Sequence, residues 1–310
     1  MKTDMSPHAI TQRIKKSSEL RRLCIALGSN RLTEKSKHLP HPLKKENNHM
    51  WEQLTKARSE YKSLGLESAL DYERFAMISI VYNSTKIEGC SLDEGDTKLL
   101  LTEDLTAKGK PLTDHMMVKD HFEAFLHIKE QATRKRTLSI DFIKEVNALV
   151  KKRTGGIEKT VLGDFDSSKG DLRIAPAYND TRYFKKHEKI GSLLEQLCQK
   201  VNDQLDSVSG NDCVALAADI HYHLVDIHPF ADGNGRTARL FMNYIQLYHN
   251  EPLIKIFTED RRDYLEALHQ TDNTKDINIF RAFVCEQQIK FFKHEVAKYN
   301  AMESDSGLSM

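Results

Sequence analysis

Residues 228–239 read His-Pro-Phe-Ala-Asp-Gly-Asn-Gly-Arg-Thr-Ala-Arg, a polar run set between two apolar helical patterns. Leu216, Ala217, Ile220, Leu224 and Val225 recur at helical spacing ahead of it. Leu240, Phe241, Tyr244, Ile245 and Tyr248 do the same after it. Pro229 disfavours helical geometry at His228, so the first helix stops there. Two inward-packing helices are thus forced to meet at a loop full of groups that need polar partners. That frame commits the centre of the chain to helix–loop–helix packing.

The rest of the sequence agrees with a helical class. Further helices are predicted over Trp51–Leu64, Tyr72–Ile87, Asp114–Ala132, Ile140–Lys151, Lys189–Asn202, Asp260–Gln270 and Ile277–Lys298. The period breaks between Gly155 and Phe184. There Thr160–Leu162 and Leu172–Ile174 look strand-like, and Asp166–Gly170 has turn chemistry. The expected fold is all-α, a helical bundle with one small β-hairpin flap. Residues 1–48 are polar and basic, with Pro7, Pro40 and Pro42. They read as an extension holding one helix (Arg13 to Ala26) and a linker (Lys35 to Lys45). A main domain over 49–300, with its core at about 113–285, and a disordered tail over 301–310 complete the expected layout.

Composition narrows the function classes. Lys plus Arg number 46 and Asp plus Glu 45, a net charge of +1, so no global field calls for nucleic acid or a membrane. No apolar run is long enough to span a bilayer, and the first residues lack the apolar core of a signal peptide. Cys24, Cys90, Cys198, Cys213 and Cys285 form no CxxC pair. An odd, unpatterned set favours reduced thiols. These features predict a cytoplasmic protein. The basic residues before position 48 would support a nucleic-acid reader, but solvated linker charge accounts for them more simply.

The loop's residue types form a chemical set. Gly233 and Gly235 permit positive φ and close backbone approach. Successive backbone N–H groups at a helix start make an anion nest, aided by the helix dipole. Arg236 and Arg239, three apart, are positioned to grip phosphate oxygens. Asp232 is a carboxylate beside that nest, suited to Mg²⁺ that also bridges phosphates. His228 is the loop's one group that takes a proton near neutral pH. Together they describe a base facing a phosphorus held by cations and amides. Spacing alone leaves open which phosphorus is attacked. His221 and His223, two apart, point to different sides of one helix and read as packing residues.

Residues 228–239 resemble the signature of the Fic family, HPF-x-[DE]-GN-G-R-x-x-R, at every specified position. The resemblance covers roughly residues 75–285. It implies a protein adenylyltransferase that moves AMP from ATP, with Mg²⁺, to a hydroxyl side chain of a target protein. By that likeness His228 is the general base and Asp232 the metal ligand. Gly233, Asn234, Gly235 and Arg236 line the anion hole, and Arg239 meets the terminal phosphate. Phe230 anchors the loop, and Tyr264 lies near the base of the nucleotide. The resemblance also implies a target segment pairing with the flap around Gly170–Ile174, and a homodimer.

Residues 84–89, Ser-Thr-Lys-Ile-Glu-Gly, resemble the family's inhibitory motif, [ST]-x-x-x-E-[GN], ahead of the core. Ser84 and Glu88 share a helix face, and Gly89 suits the end of that helix. A carboxylate at a helix C-terminus opposes the dipole and needs a compensating cation. The resemblance names Arg239. Other readings of the same loop are a UMP, phosphocholine or phosphate transfer, removal of AMP, or a nucleotide-binding regulatory module with little turnover.

Overall fold

A computed structural model describes residues 43–66, 69, 71–178 and 182–305. The helix expected over Arg13 to Ala26 and most of the linker lie outside them. Ten α-helices and one two-stranded sheet occur among the described residues. They are α1 (Leu43–Ser63), α2 (Tyr72–Ile87), α3 (Glu94–Glu103), α4 (Leu112–Thr133) and α5 (Ile140–Val150). After the hairpin come α6 (Ile190–Leu205), α7 (Asn211–Ile227), α8 (Asn234–Tyr248), α9 (Arg261–Thr274) and α10 (Ile277–Asp305).

The two central helices are buried as their periodicity requires. Leu216, Ala217, Ile220 and Leu224 of α7 are buried, and so are Leu240, Phe241, Tyr244 and Ile245 of α8. α7 and α8 lie against each other, with α4 against α8 and α10 against α7. Phe142 of α5 meets Phe241 and Tyr244 edge-to-face, at ring centroids 5.2 and 5.3 Å apart. Ser139 caps α5 by accepting from the Phe142 amide at 3.1 Å.

Several boundaries differ from the sequence reading. α1 begins at Leu43, so the expected linker's last residues are helical. α10 continues to Asp305, past the tail boundary expected at 301. α3 was absent from the periodicity because its apolar residues are few. A capping box forms it: Asp93 accepts from the Asp96 amide at 2.7 Å, and Asp96 accepts from the Asp93 amide at 3.2 Å. The hairpin exists but in another register. β1 (Ile157–Thr160) pairs antiparallel with β2 (Gly163–Asp166), and Thr160 faces Gly163. Val161 and Leu162 are its exposed tip rather than a strand. A short 3₁₀ turn, Ser167–Lys169, follows β2, and Asp166 caps it by accepting from the Ser168 amide at 3.0 Å. Leu172–Ile174 forms no strand, because Arg173 spends its backbone and side chain on the central loop.

Candidate active site

His228 ends α7 in the left-handed region, φ 53° and ψ 60°, with its amide on the Leu224 carbonyl at 3.0 Å. The proline after it explains why the helix cannot continue. Its ring stacks on Phe184, centroids 3.7 Å apart and 12° from parallel. Burial lowers its pKa to about 4, helped by Arg173 and Arg182. The Val225 backbone and Asp232 oppose that shift more weakly. Nδ1 is buried and makes no close hydrogen bond. At neutral pH the imidazole is therefore neutral and able to accept a proton.

The loop after it is braced from inside. Phe230 is buried, and its amide and carbonyl both bond the Asn234 side chain, at 3.0 and 2.8 Å. Asn234 thus closes the loop with its amide group, leaving only its backbone to face a ligand. Gly233 caps α8 at φ 80°, the positive value its sequence position required. Arg173, 3 % exposed, clasps the other side. Its Nε donates to the His228 carbonyl at 2.7 Å and its amide to the Pro229 carbonyl at 2.9 Å.

Asp232 collects cations. Its Oδ2 accepts from Lys151 Nζ at 2.5 Å and from Arg236 Nη2 at 3.2 Å, and Oδ1 accepts from the Gly233 amide at 2.6 Å. Burial pushes its carboxyl up, but Arg236 and Lys151 outweigh that and hold it below the usual range. Asn147 Nδ2 adds a bond to the Asp232 carbonyl at 3.2 Å and one to Thr237 Oγ1 at 3.1 Å. Arg236 is buried to 2 %; it reaches the Val150 carbonyl at 3.4 Å and keeps Nε without a partner.

Arg239 turns to different partners, so the two arginines diverge. Its Nη2 pairs with Glu88 Oε1 at 2.5 Å and the Ser84 carbonyl at 3.0 Å, and its Nε bonds Ser84 Oγ at 2.8 Å. Burial disfavours the Arg239 charge, yet Glu88 and Tyr264 more than restore it. Tyr264, 3 % exposed, sits behind: its hydroxyl meets Arg239 Nη1 at 3.3 Å and His221 Nε2 at 3.2 Å. Glu88 lies at the C-terminus of α2, and Gly89 follows at φ 96°. A Cβ built on Gly235 would stand 2.5 Å from Glu88 Oε1. The carboxylate is thus seated against the first turn of α8.

The structure therefore gathers Ser84, Glu88, Gly235, Arg239 and Tyr264 into one cluster, and Asp232, Gly233 and Arg236 into another, on the same loop. Tyr264 is packed under Arg239 rather than open to a ligand. His221 is buried, as its helical position suggested. Asn147, Lys151, Arg173 and Phe184 were not read from the sequence as site residues. Among the described residues no three His, Cys, Asp or Glu side chains form a metal cage. Asp232 is a single, 60 % exposed carboxylate. Such a ligand fits Mg²⁺ held largely by phosphate oxygens and water.

Comparison with known proteins follows the same lines. Residues 137–246 match the model of the Fic/DOC family. The chain is 30 % identical over 255 residues to protein adenylyltransferase fic-1 of Caenorhabditis briggsae, covering 81 % of this chain and 47 % of that protein. It is 31 % identical over 210 residues to protein adenylyltransferase Fic of Nematostella vectensis, covering 66 % and 45 %. It thus spans about half the length of these relatives. Among solved structures, a Fic domain containing signaling protein from Bacteroides thetaiotaomicron superposes with a TM-score of 0.66 at 27 % identity. That match covers 79 % of this chain and 96 % of the other. Fic-1 from Caenorhabditis elegans gives 0.67 at 22 % identity, covering 96 % and 79 %, a likeness of fold.

Proposed function

The chain carries a domain of the Fic/DOC family, and from that premise we propose that it is an autoinhibited protein adenylyltransferase. One observation carries the reading. The Glu88 carboxylate, paired with Arg239, is seated beside Gly235 at the start of α8. A helix start with exposed amides and an arginine is an anion site, and here a side chain of the same protein fills it.

In the proposed reaction the chain's residues divide the work. His228 Nε2 takes the proton of a target Ser, Thr or Tyr hydroxyl, whose oxygen bonds to the α-phosphorus of ATP. The bond from that phosphorus to the bridging oxygen breaks, and pyrophosphate leaves. Phosphate charge near His228 would raise its pKa from the low value of the free site, strengthening the base. The amide of Gly235 and the Arg239 guanidinium neutralise the charge that develops on phosphate oxygens. Asp232 would hold Mg²⁺, which supplies charge neutralisation to the phosphates when bound. Lys151 and Arg236 orient that carboxylate. The segment after Arg173, where Tyr178 bridges Tyr183 antiparallel and the Phe184 amide bonds the Ala177 carbonyl at 3.0 Å beside the His228 ring, would present the target segment by strand addition.

In the braked state Glu88 competes for Arg239, so ATP binds without productive contact at its terminal phosphate. Four described cysteines are free and buried, which supports a reducing compartment such as the cytoplasm. No helix among the described residues is long and apolar enough to cross a membrane.

The test is Glu88→Gly incubated with ATP and Mg²⁺ and weighed by mass spectrometry. The expected result is a mass gain of one AMP on the chain or its target, at a rate raised more than about tenfold, or about 1.4 kcal/mol. Label on the α-phosphate should be retained and label on the γ-phosphate lost. Adding His228→Ala should remove about 10²–10⁴ of that rate. Retention of γ-label would replace this reading with a phosphate transfer. Equal, negligible rates in all three proteins would make the chain a binding module.

A further inference from the structure

A cavity of about 170 Å³ lies beside the first half of α2, bounded also by α3, α10 and the segment before α9. Tyr72, Phe75 and Ser79 line it from α2, with Phe291 from α10. Lys255 also lines it and is only 3 % exposed. Among the described residues its ammonium meets one oxygen, Ser79 Oγ, at the long distance of 3.5 Å. It also stands over two aromatic faces, Phe257 at 4.3 Å and Phe291 at 5.4 Å. Burial lowers its pKa, with Lys298 adding to it, against weaker pulls from Glu295, Glu94 and Glu259, the last itself paired with Lys290 at 3.0 Å.

The two glutamates of the cavity are committed elsewhere. Glu94 accepts the Ser79 hydroxyl at 3.0 Å. Glu295 accepts the Tyr72 hydroxyl at 2.9 Å and pairs with Lys298 at 3.3 Å. Lys98 and Lys298, both exposed, complete the charged lining. Three lysines against two glutamates leave one positive charge, and Lys255 is the buried one. A buried ammonium without a carboxylate partner is costly. An anion reaching it would gain a strong interaction in a partly desolvated place. The space compares with the roughly 150 Å³ cavity that accepts a benzene ring. Phe75 and Phe291 offer faces for such a ring.

We propose that this cavity binds a small aromatic carboxylate, its ring against Phe75 and Phe291 and its carboxylate on the Lys255 ammonium. The site stands apart from the transfer chemistry and does not depend on it. It lies on the helix that carries Ser84 and Glu88, so an occupant touches the brake's own element.

The probes are benzoate, its neutral isostere benzamide and the cation benzylamine, titrated into the full chain by calorimetry and ligand-observed NMR. Benzoate should bind at least about tenfold more tightly than benzamide, and benzylamine should not bind. In Lys255→Met, which keeps the apolar stem, the preference for benzoate over benzamide should vanish while the melting curve stays cooperative. Equal binding of benzoate and benzamide by the unaltered chain overturns the proposal, as does no benzoate binding at millimolar concentration. A preference that survives Lys255→Met overturns it as well. The first two results need no variant, so a misfolded Lys255→Met leaves the proposal decided.

Discussion

Arg173 is the residue on which the geometry of the loop depends. Among the described residues it is buried without a carboxylate partner, and burial lowers its pKa. Carbonyls take the place of a counterion: those of His228 and Ala175 at 2.7 and 2.8 Å, and that of Lys185 at 2.5 Å. The guanidinium fork serves three chain segments at once, which an ammonium cannot do. Each buried carbonyl left without a donor costs about 1–3 kcal/mol. Arg173→Lys should therefore lower unfolding free energy by about 3 kcal/mol in urea titration. In the Glu88→Gly background it should also cut the initial rate at least about tenfold. A lysine variant as stable and active as its parent would show that the loop holds itself. His228, Asp232, Gly233 and Arg239 were legible because they are contiguous and their types complement one another. Arg173, Asn147, Lys151 and Phe184 were not, because each gains its meaning from a partner 44 or more positions away, and no local pattern records such a contact.

At the scale of elements, α2 is held to the molecule by more than Glu88. Asn83 Oδ1 accepts from the Thr258 amide at 2.9 Å, and Arg261 Nε donates to the Ile87 carbonyl at 2.8 Å. The Ile87 carbonyl belongs to the last turn of α2, where helical partners run out. Arg261 at the start of α9 therefore fastens the turn from which Glu88 projects. If the brake works as proposed, Arg261→Ala should loosen it without removing the carboxylate. The contact is partly exposed and worth about 1 kcal/mol, so a roughly fivefold rise in AMP incorporation is expected. Combined with Glu88→Gly it should add nothing, since both changes act on one contact. Full additivity, read by mass spectrometry of the two single variants and the double, would separate Arg261 from the brake. Every helix among the described residues except α3 was legible from apolar spacing, and Ser84 with Glu88 from the resemblance to the inhibitory motif. The hairpin register was not, because Asp166–Gly170 and Thr160–Val161–Leu162 both carry turn or strand chemistry. Packing against α5 decides between them.

For the whole molecule, the cationic centre sets an acid limit on stability. His121 and His221 are fully buried, and burial holds both far below the ordinary imidazole value. Arg239 acts in the same direction on each, with Arg236 also acting on His121. His228 is lowered to about 4 by burial, Arg173 and Arg182. Arg236 and Arg239, which suit the loop to polyphosphate, thus add to burial in keeping His121 and His221 neutral. The unfolded chain has no such restraint and protonates its histidines near 6.5. Below that pH the unfolded state binds more protons than the native one, so stability is full above about 6.5 and is lost as pH falls. At one unit below, each such histidine removes about 1.4 kcal/mol, or about 4 kcal/mol for the three. Most carboxylates remain ionised there and contribute little. The urea midpoint should therefore fall steeply between pH 7.5 and 5.5. His121→Gln should shrink that fall by about 1.4 kcal/mol, because it removes one proton sink of the unfolded state, while His223, His249 and His294, also lowered by burial, keep theirs. A midpoint that holds steady across this range would mean that the buried imidazoles take up their protons without unfolding. The cation-rich centre would then be far better hydrated than its burial implies.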